Sequence, residues 1–242
     1  MIVIPLAGRS SRFKFSGVLD PKWSISLGSE TVLMKAFKSV RDSLQINEKF
    51  AFGVPKEFEK LFWNSFIGID RSQIDVVFLN QTTNGQSETV ERILRNINLN
   101  QSERLVIWCG DSAFDSSSVK FQNWNCNWLL VSNLPGTHWS FVKEDNHKVT
   151  QVAEKKRISN LASVGLYGFE SIKKFMSLEP SRIRFGYEES FVAPLYNTLI
   201  ERGETVRCFT LNPIKFYPLG TPVEMVLTCK RMGWNYPQYL SN

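Results

Sequence analysis

The sequence predicts an α/β fold: a Rossmann-like three-layer α/β/α arrangement with a mixed, mainly parallel central sheet and a small antiparallel insertion. Three observations predict it. Short apolar runs (Ile2-Val3-Ile4, Phe50 to Val54, Val76 to Leu79, Leu105 to Cys109) alternate with segments of helical periodicity. These runs are apolar along nearly their whole length, as strands covered on both faces require. After Asp111 the rhythm changes to short strands separated by turns such as Leu134-Pro135-Gly136.

The elements follow in order. A loop from Ala7 to Arg12 succeeds the first strand. Val32, Leu33, Ala36, Phe37, Val40 and Leu44 recur at helical spacing, with Thr31 as the cap. Phe50 to Val54 is a strand, and Pro55 to Phe66 a helix with proline in its first turn, where the missing N–H costs least. Val76 to Leu79, a polar loop from Asn80 to Gln86 and a helix over Ser87 to Ile97 come next. The strand ending at Cys109 runs into Gly110-Asp111. Trp128 to Val131, Trp139 to Lys143 and Val149 to Ala153 form the expected antiparallel insertion, followed by a strand over Leu161 to Phe169. A helix from Glu189 to Glu201 should stop at Gly203. Thr205 to Thr210 is a strand, and Pro222 to Met232 the closing helix. With no repeat, low-complexity stretch or linker, residues 1–242 read as one domain.

Composition narrows the function. The net charge is +6 over 242 residues, but Lys and Arg are scattered, and the longest basic run is Lys155-Lys156-Arg157. Nucleic-acid binders concentrate such charge on one stripe, so a phosphorylated small molecule is the better partner and nucleic acid is not expected. Cys109, Cys126, Cys208 and Cys229 show no CxxC spacing, and His138 and His147 complete no zinc pattern. Unpaired thiols, no recognisable leader and no apolar stretch near 20 residues predict a cytoplasmic protein with no membrane partner. A homo-oligomer is compatible with the sequence. No G-x-G-x-x-G follows the first strand, which excludes a typical dinucleotide-binding oxidoreductase. Asp111-Ser112-Ala113 lacks the second aspartate of a D-x-D glycosyltransferase motif.

Small residues followed by arginine after a strand present backbone N–H groups and a charged fork to phosphate. Here that loop is Pro5-Leu6-Ala7-Gly8-Arg9-Ser10-Ser11-Arg12-Phe13, with Pro21-Lys22 downstream. The pair resembles the signature of the nucleotidyltransferase family that includes the sugar-1-phosphate nucleotidyltransferases. Ser10 stands where that family carries glycine; serine can take the same turn at some strain, and a slightly reshaped loop is the expectation. Further likenesses come in the family's order: Asn80 to Thr89 resembles the base-reading segment, Cys109-Gly110-Asp111 the metal-holding strand end, and Val152 to Lys155 with Ser163 to Phe169 the acceptor region. Tyr187-Glu188-Glu189 with Tyr196-Asn197 resembles the late helix, and Leu219-Gly220-Thr221-Pro222 the closing G-T-P. Nearly the whole chain is covered.

The resemblance implies attack by an acceptor phosphate oxygen on the α-phosphorus of a nucleoside triphosphate, with pyrophosphate leaving. The partners would be the triphosphate and a phosphorylated small-molecule acceptor, and the cofactor Mg²⁺. Leu6, Ala7, Gly8, Arg9, Ser10, Ser11 and Arg12 would hold the triphosphate, and Gln81, Gly85 and Gln86 the base. Lys22 would neutralise charge at the α-phosphate, Asp111 would bind the metal, and Glu154, Lys155 and Gly165 would meet the acceptor. Arg12, Lys22 and Asp111 would thus be catalytic. Each has a plainer reading: Arg12 and Lys22 as solvated charges, Asp111 as a turn cap after Gly110, Glu154 as half of a surface ion pair, the glutamines as polar loop residues. Many family members also carry a metal-binding aspartate two residues before the final glycine. Pro218 occupies that place, so either Asp111 works with phosphates and water alone, or the second ligand comes from elsewhere, or catalysis is impaired. Cytidylyl transfer to a non-sugar phosphate such as phosphocholine is the close alternative, and a non-catalytic nucleotide binder the remoter one.

Overall fold

A computed structural model of the chain describes residues 1–8, 10–43, 48–66, 69–119 and 125–240. β1 (Ile2–Pro5) is followed by the short α1 (Ser11–Phe15), the hairpin β2 (Ser26–Leu27) and β3 (Glu30–Thr31), and α2 (Val32–Arg41). Thr31 caps α2 as its sequence position predicts: its Oγ1 accepts from the Met34 N–H at 3.2 Å. Leu44, expected on the same helical face, lies outside the described residues. β4 (Phe50–Pro55), α3 (Glu59–Ser65), β5 (Ile74–Leu79), α4 (Gln86–Asn96) and β6 (Leu105–Trp108) complete the first half. Pro55 ends β4 rather than opening a helix; a 3₁₀ turn over Lys56–Phe58 separates it from α3.

The second half holds β7 (Ser112–Phe114), β8 (Asn127–Asn133), β9 (Ser140–Asp145), β10 (Lys148–Glu154), β11 (Leu161–Phe169), α5 (Ile172–Met176), α6 (Leu195–Glu201), β12 (Val206–Thr210), β13 (Phe216–Pro218) and α7 (Pro222–Met232). Nine strands form one mixed sheet in the order β5-β4-β1-β6-β11-β8-β12-β10-β9. β5, β4, β1 and β6 are parallel neighbours, as are β8 and β12, whereas β11 and β10 run against the strands beside them. β9 also pairs with β11 through Ala162 and Phe141, so the last five strands curl into a barrel-like closure.

The expected antiparallel insertion therefore needs correction. β8 is an interior strand, buried at six of its seven positions, and only β9 and β10 form an antiparallel edge. The late helix is also shorter than predicted. It begins at Leu195 after Pro194, because the backbone of Ser190 is already committed to the loop before α4. The two-stranded pairing of β7 with β13 was not legible in the sequence.

Side chains of β1 alternate between two cores. Ile2 and Ile4 meet α2 and α3, while Met1 and Val3 meet α4 and the late helices. The first core is aromatic: Phe37, Phe50, Phe52, Phe62 and Phe66 make edge and tilted contacts with ring centroids 4.8–6.2 Å apart. Phe52 is fully buried, so truncation to alanine would cost about 3–5 kcal/mol. No helix among the described residues is long and apolar enough to cross a membrane.

Candidate active site

The carboxyl ends of β1, β5 and β6 open into a cavity of about 490 Å³, where open α/β sheets commonly bind ligands. Its first wall is the loop after β1. Ser10 sits in the left-handed region at φ 50°, ψ 32°, the turn expected of the glycine it replaces. Such a conformation costs a residue with a side chain about 1–2 kcal/mol. Ser10 obtains something glycine cannot: its Oγ accepts the Lys22 backbone N–H at 3.2 Å. The loop is thereby tied to Pro21-Lys22. Leu6, Ala7, Gly8, Ser10, Ser11 and Arg12 all line the cavity, with Ser11 and Arg12 exposed. Arg9 lies outside the described residues. Trp23 Nε1 donates to the Leu6 carbonyl at 3.3 Å and fixes the loop from beneath.

The second wall is the segment before α4. Gly85 stands at φ 146°, and a Cβ there would lie 2.5 Å from the Ser190 carbonyl oxygen. Only glycine fits. The Ser190 N–H donates to the Asn84 carbonyl at 2.9 Å, and the Ser87 N–H donates to the Ser190 carbonyl at 3.0 Å. Glu88 accepts from both the backbone and side-chain N–H of Asn84, at 2.9 Å each, and from Arg92 at 2.7 Å. Burial pushes the Glu88 carboxyl up, but these bonds outweigh it and hold the pKa below the usual glutamate value. Gln86 lines the cavity and donates from Nε2 to Cys109 Sγ at 3.3 Å. Burial first, and the Asp111 charge next, push that thiol far up, so it stays protonated. Gln81 is exposed and outside the cavity lining; Thr83 and Asn84 line it instead.

At the floor, β6 runs through Gly110 to Asp111, whose Oδ2 is 2.6 Å from Lys22 Nζ. Both side chains are about a quarter exposed. The Leu219 N–H donates to the Asp111 carbonyl at 3.0 Å, bringing the chain after β13 over this aspartate. Gly220 follows, and a Cβ there would stand 3.2 Å from Asp111 Oδ2 and 3.6 Å from Glu224 Oε2. The residues fit Mg²⁺: oxygen donors, an aspartate already facing a cation, and glycine leaving the approach open. Asp111 would hold the ion.

The far wall belongs to the acceptor-side expectations. Glu154 is buried, and its carboxylate accepts from Ser140 Oγ. Burial pushes its pKa up, only partly offset by that bond and by Lys155 and Arg12. Its backbone N–H donates to Tyr187 Oη at 3.0 Å. Lys155 is exposed, with Nζ 4.7 Å from the centre of the Phe191 ring. Gly165 accepts the Cys109 N–H at 3.0 Å and lines the cavity. The fold thus gathers the sequence-predicted residues, Arg9 and Gln81 apart, around one opening. It adds His138, Trp139, Glu188, Glu189, Phe191 and Glu224, which the sequence reading did not place there. Glu224 had a legible signal: Thr221-x-x-Glu224 matches a helix-start pattern, and Thr221 Oγ1 accepts the Glu224 N–H at 3.2 Å.

A loop after β1 with a glycine-type turn, a glycine-shaped slot and an acid–lysine pair in one α/β cavity are the features expected of a nucleotidyltransferase-like protein. The comparisons with known proteins agree. The chain is similar over 95% of its length, and over 100% of the other chain, to a nucleoside-diphosphate-sugar pyrophosphorylase from Vibrio cholerae RC9, at 27% identity and a TM-score of 0.82. It shares its fold with an inositol-1-phosphate CTP transferase from T. maritima (16% identity, 92% and 90% of the two chains, TM-score 0.70). The same holds for a UDP-glucose pyrophosphorylase from Acinetobacter baumanii (15%, 96% and 92%, 0.71). No family model and no curated protein sequence matches the chain.

Proposed function

We propose that this protein transfers the nucleotidyl group of a nucleoside triphosphate, a pyrimidine nucleotide, to a sugar 1-phosphate, releasing pyrophosphate. The observation that carries the reading is the Lys22–Asp111 pair, set 2.6 Å apart between the phosphate-type loop and the Gly85 slot. Two anions must meet in such a reaction, so positioning and charge neutralisation dominate over proton transfer.

Each wall has a task. Backbone groups of Leu6 to Gly8 and the Arg12 guanidinium take the triphosphate. Gly85 and Gln86 take the base, with Asn84 and Thr83 beside them. Lys22 Nζ meets negative charge growing around the α-phosphate, a contact that is stronger in the transition state than before it. Mg²⁺ held by Asp111 would supply further neutralisation of the phosphate oxygens. Glu154, Glu188 and Glu189 give the acceptor wall carboxylates, which accept hydrogen bonds from the hydroxyls of a sugar. A role in cell-surface polysaccharide precursors and a cytoplasmic location accord with this reading.

The same carboxylates, with the Trp139 and Phe191 rings lining the cavity, favour a second acceptor, a phosphate ester bearing a cation such as phosphocholine. Thermal unfolding with ATP, CTP, GTP, UTP and dTTP, each with and without Mg²⁺, tests donor binding, since a ligand of the folded state raises its melting temperature. A rise with one pyrimidine nucleotide is expected. Pyrophosphate release from that nucleotide with sugar 1-phosphates or phosphocholine then separates the two acceptors. No rise with any nucleotide overturns the proposal.

A further inference from the structure

Pro218 leaves open where a second metal-binding carboxylate would come from. Resting on the nucleotidyl-transfer reading above, we propose that Glu224 supplies it, sharing a divalent cation with Asp111, and that His138 is its positioning residue.

The chain path brings this about. Pro218 pairs with Ser112 in the β7–β13 ladder, directly beside Asp111, and its carbonyl accepts from Thr228 Oγ1 at 2.8 Å. Its ring offers no oxygen donor to a cation. Leu219 then bonds to the Asp111 backbone, Gly220 passes over its carboxylate, and Thr221 starts α7. Glu224, in the first turn of that helix, swings back over Gly220. The approach of Asp111 Oδ2 and Glu224 Oε2 to one point, 3.2 and 3.6 Å from the position of a Gly220 Cβ, marks a cradle that any side chain there would fill.

The two oxygens of Glu224 have different surroundings. Oε1 lies 2.7 Å from His138 Nε2, and Oε2 lies 3.6 Å from the Gly220 Cβ position that Asp111 Oδ2 approaches to 3.2 Å. A carboxylate oriented through one oxygen by an imidazole, with the other turned to a cation, is a recurrent arrangement around bound metals. At the helix start Thr221 Oγ1 accepts the Glu224 N–H, while the Glu224 carboxylate bonds to His138. The His138 ring is itself held, tilted against Trp139 at 4.5 Å between centroids. Lys22 Nζ on Asp111 shows that this corner already accommodates positive charge. Oxygen donors alone select a hard ion such as Mg²⁺ or Mn²⁺.

The test is Mn²⁺ binding followed by the loss of the free-ion paramagnetic resonance signal, on the full chain and on E224Q, D111N and H138Q. Glutamine at 224 keeps the length and the capable partner for His138 but removes the charge. Melting temperatures in EDTA establish that each variant folds. Mn²⁺ affinity should fall at least about ten-fold in E224Q and in D111N, and by about ten-fold in H138Q. Nucleotide stabilisation in EDTA should change little in E224Q and H138Q, which a general loosening of the site would not allow. Mn²⁺ affinity in E224Q matching the unsubstituted protein, with D111N impaired, overturns the proposal. An unsubstituted protein that binds no Mn²⁺ but is stabilised by a nucleotide in EDTA also overturns it, and leaves the transfer reading standing. Absence of nucleotide stabilisation as well removes the reading beneath it.

Discussion

The two walls of the cavity built by the loop after β1 and the segment before α4 differ in how they are held. The segment before α4 is locked: Gly85 is pressed against Ser190, Asn84 is gripped by Glu88, and Ser190 is bonded on both sides. The loop after β1 is anchored at its two ends, where the Leu6 N–H donates to the Gly53 carbonyl, Trp23 donates to Leu6, and Ser10 bonds Lys22 and accepts from Phe13 and Lys14, and it leaves Gly8, Ser11 and Arg12 exposed. A rigid wall suits recognition of a flat ring by shape, since nothing need be ordered when it arrives. An open wall of backbone donors and a long cation suits a flexible, highly charged chain of phosphates. Under the proposed function, shape falls to one wall and charge to the other.

Substitutions can break the contrast in graded steps. Lys22→Ala should have the largest effect, a loss of turnover of about a hundred-fold or more, about 3 kcal/mol of transition-state stabilisation, with nucleotide-induced stabilisation largely kept. Steady-state pyrophosphate release beside thermal shifts measures both, and unaltered turnover removes Lys22 from the chemistry. Gly85→Ala should break the locked wall, since its Cβ would meet main-chain atoms of Ser190. We expect a stability loss of about 3 kcal/mol, a fall of roughly 6–12 °C in melting temperature. A variant that melts with the unsubstituted protein would show that wall to be loose.

Ser10 sharpens the comparison from the other side. Ser10→Ala keeps the left-handed strain and loses the bond to Lys22, so it should cost about 1 kcal/mol. Ser10→Gly loses the same bond but relieves the strain, and should be nearly neutral. Denaturant titration distinguishes them, and equal losses would mean that the strain is not felt. The smallest effect concerns pH. Glu154 has its folded-state pKa raised above the ordinary 4.5 by burial. Its protonated form therefore contributes stability that is fully present below that ordinary value and is lost as pH rises through the folded one. Glu154→Gln stays neutral throughout. Its melting temperature should gain on the unsubstituted protein as pH climbs from 4.5 toward neutrality, and a constant difference would contradict the burial effect.

What was legible in the sequence divides along similar lines. β1, β4 and β6 announce themselves because both faces are covered, which makes the whole run apolar, and β5, an outer strand with Asp75 exposed, through its apolar stretch from Val76 to Leu79. Ser10 was legible because a glycine-type turn constrains any residue placed in it. The late helix was overcalled over residues 189–194, most of which have helix-compatible side chains. The backbone of Ser190 instead bonds to Asn84 and Ser87, just over a hundred positions earlier in the chain. β8 looked like part of an insertion because its neighbours along the chain are short strands. Its interior position depends on β11 and β12, which come later. His138 and Glu224 are 86 positions apart, and nothing local couples an imidazole after a turn to a carboxylate in the first turn of a helix.

The pairing of β9 back onto β11 has a consequence for how copies of the chain can meet. A row of unpaired amides and carbonyls is an invitation to add another strand, and the nine-stranded sheet would ordinarily extend two such invitations. Curling its far end covers part of one of them, where Phe141 pairs with Ala162. β5 remains as the outer strand at the other end, with Asp75 exposed on it as a charged deterrent to flat stacking. Growth of this sheet by repeated addition, the route to fibrils, needs two free ends, and the curl narrows one of them.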